Sequence, residues 1–192
     1  LKNLAEEMEV VKKMHSMQNG EIINSLEGIE SENRSVLHTA IRDKTGCQGK
    51  GPLALEAAQF AAKEHKKLQE FIQNTESFTD MLTIGIGGSD LGPQALYQSL
   101  PQKRRKGKTV HAVSNIDPDH LTHVLNQVDP KSTLVVIISK SGSTIETLTN
   151  ETIARTHFEK AGVNPKDHFV AVTGEGSPMD DPSRYRSCFY MR

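Results

Sequence analysis

The chain is poor in cysteine, with only Cys47 and Cys188, far apart in the sequence. Their separation matches no metal-ligand or redox spacing, and such sparing use fits a reducing cytosol, so a cytoplasmic protein is expected. No apolar run is long enough to span a bilayer, and the first residues do not read as a signal peptide, so no membrane partner is expected. An excess of either charge is also missing, with 23 basic and 24 acidic residues. Without a long-range field there is no pull toward nucleic acid or an anionic membrane. The one basic run, K-R-R-K-G-K over 103–108, lies between a helix and a strand, has no aromatic partners and reads as a solvated loop. Both common nucleotide loops fail. The dinucleotide fingerprint G-x-G-x-x-G breaks at Asp90, and no Gly-Lys-Ser/Thr exists for a phosphate loop. His120 and His123, beside Asp117 and Asp119, lack the glutamate and the i,i+4 placement of a zinc helix. An initiator methionine is absent at Leu1, and the last residues, Phe189-Tyr190-Met191-Arg192, turn apolar. Both ends read as cut, so a fragment is expected.

What is present centres on residues 133–162. The apolar run Leu134-Val135-Val136-Ile137-Ile138 does not alternate and suits a strand buried on both faces. Ser139, Lys140, Ser141, Gly142, Ser143 and Thr144 follow, and a helical composition then runs to Lys160-Ala161-Gly162. A strand, a hydroxyl-rich loop and a helix start make a place for an anion. The helix N-terminus exposes N–H groups and partial positive charge, Gly142 lets the backbone approach, Lys140 adds charge, and the hydroxyls can donate. The alternative is plain capping, since Ser143 and Glu146 form an S-x-x-E box. That box leaves Ser139, Ser141 and Thr144 without an explanation.

The 192 residues suit one good-sized domain, or one domain with an appendage. Residues 1–31 read as a mixed-charge helix carrying Leu4, Met8, Val11 and Met14, then a turn at Gly20 and a segment to Gly28. A second helix is expected over 32–44 with Val36, Leu37, Ala40 and Ile41 on one face. The glycine-rich stretch 45–52 reads as the boundary between a helical arm, 1–50, and the main domain, 51–192. Leu53 to Asn74 reads as a long helix with Ala54, Ala57, Ala58, Ala61, Leu68 and Ile72 buried. Met81 to Ile84 is a strand that enters Gly85-Ile86-Gly87-Gly88-Ser89, then a helix with Pro93 in its first turn. This is a second strand–loop–helix place for an anion. Thr109 to Val113 is a strand, and Asp117 caps a helix opened by Pro118, with Leu121, Val124, Leu125 and Val128 as its stripe. His168 to Thr173 is a fourth strand, and 179–188 reads as polar and irregular. Alternating strands and helices imply an α/β fold, a doubly wound parallel sheet with helices on both faces. Ligands of such sheets bind beyond strand C-termini at a switch point. The two loops share one crevice if their strands are neighbours.

I-G-I-G-G-S-D-L-G-P (84–93) and I-S-K-S-G-S-T-I-E-T-L-T-N-E (138–151) resemble the signature segments of the first sugar-isomerase (SIS) domain of the glucose-6-phosphate isomerase family. E-N-R-S-V-L-H-T-A-I-R (32–42) is similar to that family's N-terminal helix motif. The resemblance covers nearly the whole chain, in order. It implies a flavodoxin-like SIS domain after the helical arm, truncated before its last strand. It also implies an aldose–ketose isomerase that interconverts glucose 6-phosphate and fructose 6-phosphate in glycolysis and gluconeogenesis, with no metal or organic cofactor. Its partner is then a small-molecule sugar phosphate, with neither nucleic acid nor membrane, and its assembly a homodimer. By position, Ser139, Lys140, Ser141, Gly142, Ser143 and Thr144 would hold the sugar phosphate, with Gly88 and Ser89 lining the same pocket. The family often has Thr-Phe-Thr-Thr where this chain has Ser141-Gly142-Ser143-Thr144; the hydroxyls survive that change. The family's W-x-G-G-R-x-S motif, general-base glutamate, ring-opening histidine and C-terminal lysine have no counterpart here, and the chain contains no tryptophan. No catalytic residue is therefore identifiable, and the chain is expected to carry the phosphate half of a site and to be inactive alone. The alternative is a non-catalytic phosphosugar-binding SIS module.

Overall fold

The computed structural model describes residues 2–25, 28, 33, 35–42 and 51–191. Its contacts gather into two compact units, residues 1–70 and residues 71–191.

In the first unit, α1 (Lys2–Glu7) and α2 (Val10–Gln18) stand where one helix was expected. Glu9 separates them at φ 51°, a left-handed conformation that interrupts the ladder of helical hydrogen bonds. Leu4, Met8, Val11 and Met14 are all exposed. The helix expected over 32–44 is not formed among the described residues there. Residues 35–37 are irregular, a turn follows, and Ala40–Arg42 make a single 3₁₀ turn. Its apolar positions are used nonetheless: Ala40 is buried with Ala54 and Ala57, and Leu37 and Ile41 pack on them. Most of the loop expected at 45–52 lies outside the described residues, and Pro52 already opens α3 (Pro52–Gln73). Of the expected α3 stripe only Ala54 and Ala57 are buried; Leu68 and Ile72 are exposed.

The second unit is a five-stranded parallel sheet of β1 (Asp80–Ile84), β2 (Thr109–Val113), β3 (Thr133–Ser139), β4 (Phe169–Thr173) and β5 (Ser187–Tyr190), in the order β2-β1-β3-β4-β5. This is the flavodoxin-like order, with its switch point between β1 and β3. The fifth strand corrects the irregular reading only at Ser187 and Cys188; residues 179–186 are turns and irregular chain, as expected. Its crossover from β4 has no helix, yet Met179 and Tyr185 are buried.

Right-handed crossovers place the helices. The β1-to-β2 connection runs one way along the sheet and the next two run the other. Helix α4 (Gly88–Ser99) therefore covers one face, and α5 (Pro118–Leu125) and α6 (Ile145–Lys160) the other. Side chains sort by strand alternation. Val135, Ile137, Phe169 and Ala171 join the large core, with Leu121, Val124 and Leu125 of α5 and Ala154 and Phe158 of α6. Leu134 and Val170 join Phe78 and Phe189 on the opposite face, where Phe71, Val136 and Val172 are only partly buried. Asp117 caps α5 as expected, accepting from the N–H groups of Asp119 and His120. Pro93 lies deeper in α4 than expected, because that helix begins at Gly88. No helix among the described residues is long and apolar enough to cross a membrane.

Candidate functional site

Strands β1 and β3 are hydrogen-bonded neighbours, with Ile84 opposite Ile137. The two loops leaving their C-terminal ends therefore lie side by side at the switch point. Their approach is close: a Cβ on Gly85 would stand 3.1 Å from the Ile138 carbonyl oxygen. Gly88 and Ser89 are the first two residues of α4, and Ser139 to Thr144 lead from β3 into α6. The structure thus brings all eight sequence-derived candidates to one end of one strand pair.

Both helix entrances lack a side-chain cap. Gly87 precedes α4 at φ 58°, ψ −123°, and contributes no side chain to cap it. Gly87 and Gly88 are exposed, and Ser89 is half-buried. Asp90 is buried in the first turn, where the helix dipole favours a carboxylate, and both its oxygens accept from Gln94 Nε2, at 2.8 and 2.7 Å. The side chain that breaks the dinucleotide fingerprint is therefore an internal brace of α4.

At α6 the capping box is not formed. The N-cap is Thr144, and its side chain makes no cap hydrogen bond. The Ser143 hydroxyl donates instead to Ser141 Oγ at 3.2 Å. Ser139 Oγ is 2.9 Å from Thr144 Oγ1 and 3.5 Å from Ser141 Oγ, and Ser141 Oγ is 3.4 Å from Thr144 Oγ1. Backbone N–H groups join in, Gly142 to Ser139 Oγ and Ser143 to Ser141 Oγ, each at 3.2 Å. Ser139 is buried, Thr144 is half-buried, and Lys140, Ser141 and Ser143 are exposed. The result is four hydroxyls bonded mainly to one another, beside a helix entrance that none of them caps. Thr147, in the same first helical turn, is buried and its hydroxyl has no hydrogen-bond partner. Hydroxyls so arranged can rotate to donate outward, and the open N–H groups of α6 carry partial positive charge. Chemically, the arrangement suits an oxyanion.

Two residues that sequence reasoning passed over sit behind the bend. Thr173 ends β4, and Ser177 follows in the next loop. A glycine-rich segment at the C-terminal end of a parallel strand was the available signal. Among the described residues no three His, Cys, Asp or Glu side chains gather as a metal site would require. A cavity of about 180 Å³, lined among others by Phe78, Asp80, Lys108, Thr109 and Leu134, lies at the opposite end of the strands. That cavity and the bend are therefore separate places on the sheet.

Comparison with known proteins agrees with the motifs. The family model described as phosphoglucose isomerase matches residues 1–180. The glucose-6-phosphate isomerase of Protochlamydia amoebophila is 46% identical across the whole of this chain, which spans 36% of that enzyme. That of Chlamydia muridarum is 44% identical, again across the whole chain and 37% of the relative. A crystal structure of a glucose-6-phosphate isomerase from Chlamydia trachomatis superposes with a TM-score of 0.93 at 43% identity, covering 98% of this chain and 37% of that one. The chain therefore spans little more than a third of the length of the curated relatives it matches. With a family model fitting most of its residues and relatives aligning along all of them, the chain belongs to the phosphoglucose isomerase family.

Proposed function

We propose that this chain carries the phosphate-holding half of an isomerase site that interconverts glucose 6-phosphate and fructose 6-phosphate. One observation carries the reading. Two helix entrances without side-chain caps leave neighbouring strands at the switch point, and a cluster of four hydroxyls lies at one of them. Ser139, Ser141, Ser143 and Thr144 donate to phosphate oxygens, the α6 N–H groups complete the cradle, and Lys140 adds a cation at its rim. Gly88 and Ser89 form the adjoining wall. Hydrogen bonds to a charged group contribute roughly 1.5–3 kcal/mol each, so a few of them hold a phosphate monoester without metal.

The carbon chemistry is a separate matter. Moving a proton between adjacent sugar carbons needs a positioned base and a stabiliser for the enediolate. Asp90 is engaged by Gln94, and we assign the role of base to no residue of this chain. Both tasks fall, on this reading, to residues outside this sequence, and the chain by itself does not turn over. We place residues 51–192 in the first SIS domain of a cytoplasmic, homodimeric enzyme with residues 1–50 as an arm. Its partner is a sugar phosphate rather than nucleic acid.

A phosphorus NMR titration of the chain with glucose 6-phosphate tests the reading, with a parallel calorimetric titration of unphosphorylated glucose. Saturable binding of the ester and none of the neutral sugar is expected, together with background turnover in a coupled fructose 6-phosphate assay. Equal binding of both sugars would remove the phosphate from the recognition, and robust turnover would show that a base lies in this chain.

A further inference from the structure

The hydroxyl bend is not held by its own hydrogen bonds alone. Its backbone is tied to the loop that follows β4, residues 174–181. Gly174 N–H donates to the Lys140 carbonyl at 3.0 Å. The Thr173 hydroxyl donates to the Ser139 carbonyl at 2.7 Å, and Thr173 Oγ1 lies 2.7 Å from Ser177 Oγ. A hydroxyl has one proton. Because Thr173 spends its proton on Ser139, the hydrogen must come from Ser177 in the second contact. The direction is thereby fixed: Ser177 to Thr173, Thr173 to the bend. Ser177 also lies directly behind Gly142, where an added Cβ would come within 2.6 Å of its Oγ. The loop supplying Ser177 is itself anchored. Asp180 accepts from Gly176 N–H at 2.9 Å through one oxygen and from the Tyr190 hydroxyl of β5 at 2.8 Å through the other.

We propose that Thr173 and Ser177 are positioning residues for the Ser139–Thr144 bend, setting the orientation of its donors toward a phosphate monoester without touching the ligand. The proposal rests on the phosphate reading above. Thr173 is fully buried and Ser177 half-buried. With the carbonyls of Ser139 and Lys140 held, the hydroxyl cluster and the uncapped start of α6 keep a single arrangement before any ligand arrives. Preorganisation of this kind lowers the ordering cost of binding.

The test compares Thr173→Val, Thr173→Ser, Ser177→Ala and Ser139→Ala by phosphorus NMR titration with glucose 6-phosphate, with melting temperatures measured in parallel. Thr173→Val and Ser177→Ala are expected to raise the dissociation constant on the order of tenfold. Thr173→Ser keeps the hydroxyl and should bind as the unaltered chain does. Ser139→Ala reports on the phosphate reading itself. If Ser139→Ala weakens binding while Thr173→Val and Ser177→Ala do not, positioning is overturned and the reading stands. If Ser139→Ala has no effect, the reading fails and the positioning role falls with it. A lowered melting temperature with an unchanged dissociation constant makes the pair merely structural and overturns the proposal, as does Thr173→Ser binding as poorly as Thr173→Val. Should Thr173→Val not fold, Ser177→Ala alone decides by the same criterion.

Discussion

Gly142 is the residue on which the geometry of the bend turns. It sits at φ 65°, and a Cβ there would meet Ser177 Oγ at 2.6 Å, Ser177 Cβ at 2.9 Å and the Met179 nitrogen at 3.0 Å. Two separate penalties follow for any side chain: a left-handed backbone and a collision that is partly with main chain. Gly142→Ala is expected to destabilise the chain by about 1–3 kcal/mol, read from the midpoint of urea unfolding. An unchanged midpoint would mean that the post-β4 loop moves aside freely. A bulkier side chain at this position would have to displace that loop, which holds Ser177 directly behind the bend. The hydroxyls set a second prediction at this scale. Ser139 Oγ and Thr144 Oγ1, 2.9 Å apart, are the inner pair of donors, so Ser139→Ala combined with Thr144→Ala should weaken phosphosugar binding by about 2–5 kcal/mol. Binding by the double variant as tight as that of the unaltered chain would take the bend out of the site.

Among the elements, α6 has a face that apolar spacing does not explain. It buries Thr147, Asn150 and Glu151 along with Ala154 and Phe158. Asn150 Nδ2 reaches the Asn115 carbonyl at 3.0 Å, which ties the helix to the loop before α5. Glu151, only 1% exposed, accepts from Arg155 Nε at 2.7 Å, from Arg184 at 3.2 Å and from the Tyr185 hydroxyl at 2.7 Å. Arg184 and Tyr185 belong to the crossover into β5, so the carboxylate joins that helix-free connection to α6. Removing one partner of a buried pair strands the other charges. Glu151→Ala should therefore lower stability by about 3–5 kcal/mol in urea unfolding, and a loss below about 1 kcal/mol would place the network among ordinary surface ion pairs. The same network explains why β5 was not legible in the sequence. Ser187–Tyr190 has four residues, of which only Cys188 and Phe189 are buried. What places it comes from far along the chain: Tyr185 on Glu151, and Arg186 on the Asp167 carbonyl at 2.8 Å. The elements that were read correctly carry local signals, as in the apolar β3 run or the Asp117-Pro118 start of α5. The expected helix over 32–44 failed among its described residues although its apolar spacing was right, because spacing records which residues face inward and not which backbone presents them. The capping box failed for a related reason. The S-x-x-E pattern says nothing of a competing acceptor, and the Ser143 hydroxyl takes Ser141 instead.

At the scale of the whole sheet, the condition set in the sequence, that the strands before the two loops be neighbours, is met, and β1 beside β3 is enough to bring two distant motifs together. Sheet order also determines what the molecule does in alkali. Two tyrosines hold the β5 side of the sheet, each donating to a carboxylate. The hydrogen bond to Asp180, with burial, pushes the Tyr190 phenol from about 10 up to about 12. Burial, and then the Glu151 charge beside it, hold the Tyr185 phenol well above its ordinary range. A phenol with a raised folded-state pKa resists ionisation only while the chain is folded. The stability tied to that difference is complete below the unfolded value of about 10 and is lost as the pH rises through the folded value. The urea midpoint should thus be flat near pH ~8.5 and fall steeply by pH ~11. Tyr190→Phe and Tyr185→Phe give up a hydrogen bond and start lower, by about 1 kcal/mol or more, but their decline with pH should be shallower, because the ionising group is gone. A decline as steep in both variants as in the unaltered chain would assign the alkaline loss to the lysines and free β5 of any part in it.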